Sequence, residues 1–178
     1  MSDPSRRLFF ALWPDANSRV ALALLARQVA SETRGRAVAA DNLHLTLAFL
    51  GERPAAMVPD LCASMVAIDV APFSLSLDAV GCWRKTGIAS LNASRSVAPL
   101  VTLRERIVQA LATLGVVIDA RAYVPHVTLA RRIESVVTRQ LAAPIEWHVR
   151  SFALVASTLD AAGAKYELQH TWPDEPLR

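Results

Sequence analysis

Hydrophobic and polar positions along the chain alternate in short runs, broken by two longer stretches with helical spacing. Residues 7–13 (RLFFALW) are apolar and aromatic and predict a buried strand, which Pro14-Asp15 stops. Asp15 suits the N-cap of a helix to about residue 33, with Val20, Leu24 and Leu25 inward and Gly35 as its stop. A short strand is predicted at 36–40, a turn at Asp41-Asn42, and a strand at 43–50 that Gly51 ends. In that strand Leu43, Leu45, Leu47 and Phe49 share the inner face, and His44, Thr46, Ala48 and Leu50 the other. Pro59 opens a helix to about residue 68. Phe73, Leu75 and Leu77 alternate with Ser74, Ser76 and Asp78, which predicts a half-exposed strand over 73–80, paired after the Thr86-Gly87 turn with a strand at 88–93.

The clearest helix is 99–114, where Leu100, Leu103, Ile107, Leu111 and Leu114 recur at three- and four-residue steps before Gly115. Residues 116–121 predict a strand, 126–131 another, 134–141 a short helix, and 147–157 and 165–171 two closing strands. Helices mixed with hairpin-joined strands predict an α+β fold with antiparallel sheet. The expected organisation is one domain, residues 1–178, with two similar halves. Each half holds a helix, a lead-in strand, a tight turn and a motif strand.

The motif is a phrase the chain says twice: His44-Leu45-Thr46-Leu47 and His126-Val127-Thr128-Leu129. On a strand this spacing sets His and Thr on one face and the apolar pair on the other. Two such faces across a cleft can grip one phosphate. A neutral imidazole can take a proton from water while an imidazolium gives one to a leaving alkoxide. The hydroxyls of Thr46 and Thr128 can donate to non-bridging phosphate oxygens, where charge builds during attack. Arg131 lies five residues beyond His126, an odd step that strict alternation turns away from the histidine face, although a twist or the strand end could bring it to the cleft rim as a phosphate-binding residue. No third His or carboxylate sits at ligand spacing, so no metal is expected. His148 and His170 lack this context and read as solvated or core-edge residues. Tyr123 and Trp83 suit base stacking or, more simply, packing.

Composition changes the picture little. A hydrophobic fraction of 53% supports a sizeable core, and a net charge of +3 fits many classes of protein. The basic residues are arginines apart from Lys85 and Lys165. The arginine fork suits phosphate oxygens, but a compositional bias is the better explanation. Cys62 and Cys82 are isolated, which argues against a zinc site or a disulfide framework and for a cytoplasmic setting. Neither a signal peptide nor a membrane span is expected.

DNLHLTLAFLGE (residues 41–52) and YVPHVTLARR (residues 123–132) resemble the two signatures of the two-histidine phosphoesterases. The nearest branch is the bacterial and archaeal RNA 2′,3′-cyclic phosphodiesterases, also described as 2′-5′ RNA ligases. RLFFAL, PFSLSLDAVG and the FALVAST…GAKYEL run are similar as well. The resemblance implies a bilobal fold, two pseudo-symmetric lobes of antiparallel sheet with flanking helices around a central cleft. It implies hydrolysis of an RNA or nucleotide 2′,3′-cyclic phosphate end to a 2′-phosphate, without metal or other cofactor. His44 carries over as proton donor, His126 as acceptor, and Thr46 and Thr128 as phosphate-binding residues. Arg131 matches an arginine common after the second motif.

The chain departs from the pattern in two places. Val38-Ala39-Ala40 stands where relatives often have an aromatic, and residues 88–91 lack a tryptophan. Both touch cleft lining and so substrate preference. The expected partner is an RNA or oligonucleotide with a 2′,3′-cyclic end. No membrane and no obligate protein partner are expected, and the chain is expected to be a monomer. The same two histidines could join a cyclic end to a 5′-hydroxyl that takes the place of water, a side activity beside hydrolysis. The rival expectation is a non-catalytic RNA-end binding protein.

Overall fold

The computed structural model describes residues 4–118, 122–160 and 163–173. Among these residues nine strands form one antiparallel sheet: β1 (Ser5–Leu12), β2 (Arg36–Ala37), β3 (Leu45–Pro54), β4 (Phe73–Trp83), β5 (Ile88–Asn92), β6 (His126–Arg131), β7 (Arg139–Val149), β8 (Phe152–Asp160) and β9 (Gly163–Trp172). Three α-helices flank it: α1 (Ala16–Thr33), α2 (Val58–Met65) and α3 (Ala98–Thr113). The order is β7-β4-β5-β6-β3-β1-β8-β9, with β2 added beside β6. Two four-stranded blocks therefore meet at the two motif strands, β6 and β3. One block is a contiguous middle segment. The other takes strands from both ends of the chain, because the β8–β9 hairpin completes it.

The two motif strands share a single register pair, Leu45 with Val127. On either side of it the strands part, which opens a cleft on the face opposite these two buried side chains. The helices cross over: α1 precedes β3 but packs against β6, and α3 precedes β6 but packs against β3. Buried side chains from both blocks, including Leu8, Leu47, Leu75, Leu91, Leu129 and Trp147, form one continuous core. Burial of this apolar surface is the main force holding the blocks together.

Asp15 caps α1 as its sequence position predicts, accepting from the Ser18 amide at 2.9 Å. The buried face differs in part from the expected one: Leu25 is buried as expected, the other two residues are not. Val20 and Leu24 are 62% and 56% exposed, while Leu22, Ala26 and Val29 are buried. The alanine-rich side fits close against the sheet, and the bulkier pair faces out. The left-handed residue that ends α1 is Arg34 (φ 52°), not Gly35. Gly35 is needed for space: a Cβ there would lie 2.8 Å from Ile133 Cγ2 and 3.0 Å from the Arg131 carbonyl.

Other departures have local causes. Gly51 (φ +74°) does not end β3 but sits at an irregularity in its pairing with β1, and the strand runs on to Pro54. β5 pairs with Ala79–Trp83 rather than with the start of β4, which pairs with β7 instead. No helix forms over 134–141. The amides of Glu134 and Ser135 bond to the Thr33 carbonyl at the end of α1, and Arg139 onward enters β7. The predicted 147–157 strand is split between β7 and β8, which lie in opposite blocks. Residues 116–118 are not strand, and the rest of that expected strand, 119–121, lies outside the described residues.

Candidate active site

The single pair Leu45–Val127 fixes the site's geometry. In an antiparallel ladder, one step to either side of it sets His44 opposite Thr128 and Thr46 opposite His126. All four side chains are half-buried, and Leu45, Val127, Leu47 and Leu129 beneath them are buried. The polar face thus rests on a rigid apolar floor.

Both imidazoles are fixed in the same way. His44 Nδ1–H donates to the Asn42 carbonyl at 2.8 Å, and His126 Nδ1–H to the Val124 carbonyl at 2.8 Å. A carbonyl can only accept, so each Nδ1 carries a proton and each Nε2 is left for chemistry. The surroundings then differ. Trp13 stacks on His44 at 5.5 Å and 7°, Phe9 lies against it at 5.0 Å, and Tyr166 meets it edge-on at 5.0 Å. His126 has Trp83 perpendicular to it at 4.5 Å. Trp83 is 36% exposed and so is not simple core packing.

Burial in this cage lowers the His44 pKa to about 4, with further lowering from Arg131 and His126; the Asn42 bond opposes it. Burial also lowers His126, helped by Arg131 and opposed by the Val124 bond. Both rings are therefore neutral near pH 7 in the free protein. An anion between them would favour a proton on one.

Arg131 departs from strict alternation, and a bulge is the reason. In the β5–β6 ladder Ala89 faces Ala130 and Ser90 faces Thr128, so β6 carries one extra residue between them. Leu129 and Ala130 are both buried, and Arg131 returns to the cleft face. The β1–β3 ladder has the same irregularity, with Phe10 facing Ala48 and Ala11 facing Thr46. Ala48 and Leu50 are consequently buried, at 2% and 5%, and Phe49 is 46% exposed, the reverse of the expected faces. Ala48 does not make room beside Thr46; it belongs to the core. Phe49 and Arg131 are counterparts, each three residues after a motif threonine.

A cleft of about 530 Å³ is lined by His44, Thr46, Thr128 and Arg131, together with Arg7, Arg36, Arg132 and Phe49. Among its described lining residues none is acidic, so its field favours an anion. His126 is outside that lining set but stands across from Thr46, close enough for its charge to act on His44. Among the described residues no group of three or more His, Cys, Asp or Glu is placed to hold a metal ion. His148 pairs with Ser74, and His170 packs on Trp172. Tyr123 does not offer its ring to a ligand: its hydroxyl donates to the Thr46 carbonyl and Arg104 covers its face at 4.4 Å.

Sequence reasoning missed the caging aromatics, Phe9, Trp13 and Tyr166, and the cleft residues Arg7, Arg36, Phe49 and Arg132. Trp13 gave one usable signal, a large aromatic at the end of a strand followed at once by a break.

A fold of two antiparallel blocks with paired His-x-Thr strands at their junction defines a two-histidine phosphoesterase. The sequence model of the 2′-5′ RNA ligase superfamily matches residues 14–161, and the chain belongs to that family. The RNA 2′,3′-cyclic phosphodiesterase of Escherichia coli is 33% identical over 175 residues, covering 97% of this chain and 98% of its own. The protein of the same name from Thermus thermophilus is 32% identical over 177 residues, covering 90% and 86%. The structure of E. coli LigT complexed with 3′-AMP superposes with a TM-score of 0.85 at 31% identity, covering 95% of this chain and 98% of that one.

Proposed function

We propose that this protein hydrolyses RNA 2′,3′-cyclic phosphate ends to 2′-phosphates, with His44 as proton donor and His126 as proton acceptor. The observation that carries the reading is the paired fixing of the two imidazoles. Each gives its Nδ1 proton to a carbonyl two residues back, which leaves Nε2 for chemistry, and each histidine stands one register step from the Leu45–Val127 pair, across from the other motif's threonine.

The cyclic phosphate enters as a monoanion into a cleft lined by arginines. Its charge offsets the burial that keeps His44 neutral, so one proton is retained on that ring. Neutral His126 Nε2 takes a proton from water as its oxygen attacks phosphorus. The bond from phosphorus to the 3′-oxygen breaks, and His44 gives that oxygen its proton. The products are a 3′-hydroxyl and a 2′-phosphate. A caged imidazolium is a strong acid, which suits protonation of an alkoxide. Thr46 and Thr128 donate to the non-bridging oxygens, and Arg131 adds a fixed positive charge.

No step in this scheme calls for a cofactor or metal. The groups named in this scheme lie in both blocks, which supports a single catalytic domain built from the two, and we read the protein as a monomer without an obligate protein partner. Among the described residues no helix is long and apolar enough to cross a membrane. The isolated spacing of Cys62 and Cys82 along the chain and an RNA substrate support a cytoplasmic setting. Joining a cyclic end to a 5′-hydroxyl follows the same course, with that hydroxyl attacking phosphorus in place of water, and is a minor one.

The test is incubation of pure protein, with chelator present, with an oligonucleotide bearing a 2′,3′-cyclic end. The expected product is the 2′-phosphate. Salt-dependent binding without turnover would instead mark an RNA-end binding protein. Activity lost in chelator and restored by a metal would overturn the scheme.

A further inference from the structure

His44 sits in a cluster of four rings, and one of them is set apart. Trp13 lies 7° from parallel with the imidazole, while Phe9 is tilted by 36° and Tyr166 stands at 82°. Tyr166 also meets Trp13 edge-on at 6.2 Å and Phe9 at 5.3 Å, so the cluster braces itself. Trp13 is outside the set of residues that line the cleft, and it has no part in the scheme above. The second histidine lacks this arrangement, since Trp83 meets His126 at 80°.

The charges around His44 make the stack matter. From β6, Arg131 and His126 both act against a proton on its ring, and among the described residues no carboxylate acts on it. From β9 Tyr166 presents a ring edge, and from the turn before β3 the Asn42 carbonyl accepts the Nδ1 proton. A cation held here finds little in the protein to favour it apart from that carbonyl and the aromatic faces. Of those faces the indole is the largest and the flattest against it, and a cation over an indole face is attracted by its quadrupole.

We infer that Trp13 is a positioning residue for His44: its indole face fixes the plane of the imidazole and stabilises that ring when it carries the proton it gives away. The asymmetry between the two sites follows. The donor must already hold its proton inside the aromatic cage before the reaction begins, and it is stacked. The acceptor is neutral until water attacks, gains its proton only then, and meets Trp83 edge-on. This rests on the donor role proposed for His44.

The test compares Trp13→Leu, Trp13→Phe and His44→Ala with the unaltered protein. Trp13→Leu should lower kcat about tenfold with KM changed by less than about threefold. Trp13→Phe keeps an aromatic face and should stay within about threefold of the unaltered kcat. Tryptophan emission gives a second readout, since a protonated imidazole quenches an indole stacked on it. Emission should fall with pH in the unaltered protein, and that component should vanish in both Trp13→Phe and His44→Ala.

Undiminished kcat in Trp13→Leu, or equal loss in the Leu and Phe variants, would overturn the inference. So would a quench unchanged in Trp13→Phe and His44→Ala. If Trp13→Leu does not fold, the emission comparison with Trp13→Phe still decides. Full activity in His44→Ala would remove the donor role itself, a result the Trp13 variants cannot mimic.

Discussion

The hydroxyl of Tyr123 donates a 3.0 Å hydrogen bond to the backbone carbonyl of Thr46. Tyr123 leads into the second motif strand and Thr46 lies in the first, so the bond ties the two motifs together. The strands themselves share only the Leu45–Val127 pair. Burial raises the Tyr123 pKa, so the hydroxyl remains a donor across the working range.

Tyr123→Phe keeps the ring under Arg104 and removes only this tie. The Thr46 carbonyl loses its partner, at a cost of about 1–2 kcal/mol in stability. Because the tie sets the spacing of the motifs, kcat should fall about three- to tenfold with little change in KM. A melting curve and initial rates check both. An unchanged kcat would mean that the core alone holds the spacing.

Gly35→Ala should destabilise the protein by about 1–3 kcal/mol. The added methyl meets the Ile133 side chain and the Arg131 carbonyl, and the second contact is with backbone that cannot simply rotate away. The variant should also lose activity, since relief of the clash moves the end of β6 that carries Arg131. Denaturant unfolding and rates measured together check this. Unchanged stability would contradict the clash, and full activity in a destabilised variant would contradict its link to Arg131.

Thr46→Val and Thr128→Val remove a hydroxyl with little change of shape. Each should lower kcat by about 10- to 1,000-fold if its donor acts on the charge that develops at phosphorus. Loss seen only in KM would instead mean that the hydroxyl serves ground-state binding. The two effects need not add, because both donors serve one phosphate.

Proton economy predicts an acid-shifted profile. Burial lowers both histidines in the free protein, His44 to about 4. One donor and one acceptor together need a single proton on the pair, and that proton is lost as pH rises through these lowered values. The quantity kcat/KM, which reports the free enzyme, should therefore peak on the acid side of about 6.5, the ordinary histidine value. Bound phosphate favours the protonated donor, so the kcat profile should lie at higher pH than the kcat/KM profile. Profiles that coincide, or a kcat/KM optimum well above neutrality, would contradict this.

The motif strands and long helices were legible because periodicity and capping are local. Asp15 as N-cap and β6 at 126–131 follow from a few adjacent residues. What stayed hidden depends on distant partners. The bulges that turn Phe49 and Arg131 into the cleft are two-strand properties, arising where β3 and β6 pair with β1 and β5. Residues 134–138 look helical alone, but the amides at their start are taken by the end of α1. Val20 and Leu24 look like a buried stripe, yet close packing against the sheet selects the smaller alanine side of α1. The same limit applies to the cage around His44, whose members come from β1, the turn after it and β9.

The central claim is that two imidazoles pass one proton in and one proton out across a bound cyclic phosphate. The most direct measurement is the single-turnover rate on a 2′,3′-cyclic oligonucleotide for His44→Ala and His126→Ala, each checked for an unchanged fold. The account predicts a loss of at least about a hundredfold in each variant, with binding of the end retained. Turnover at the unaltered rate in either variant would contradict it.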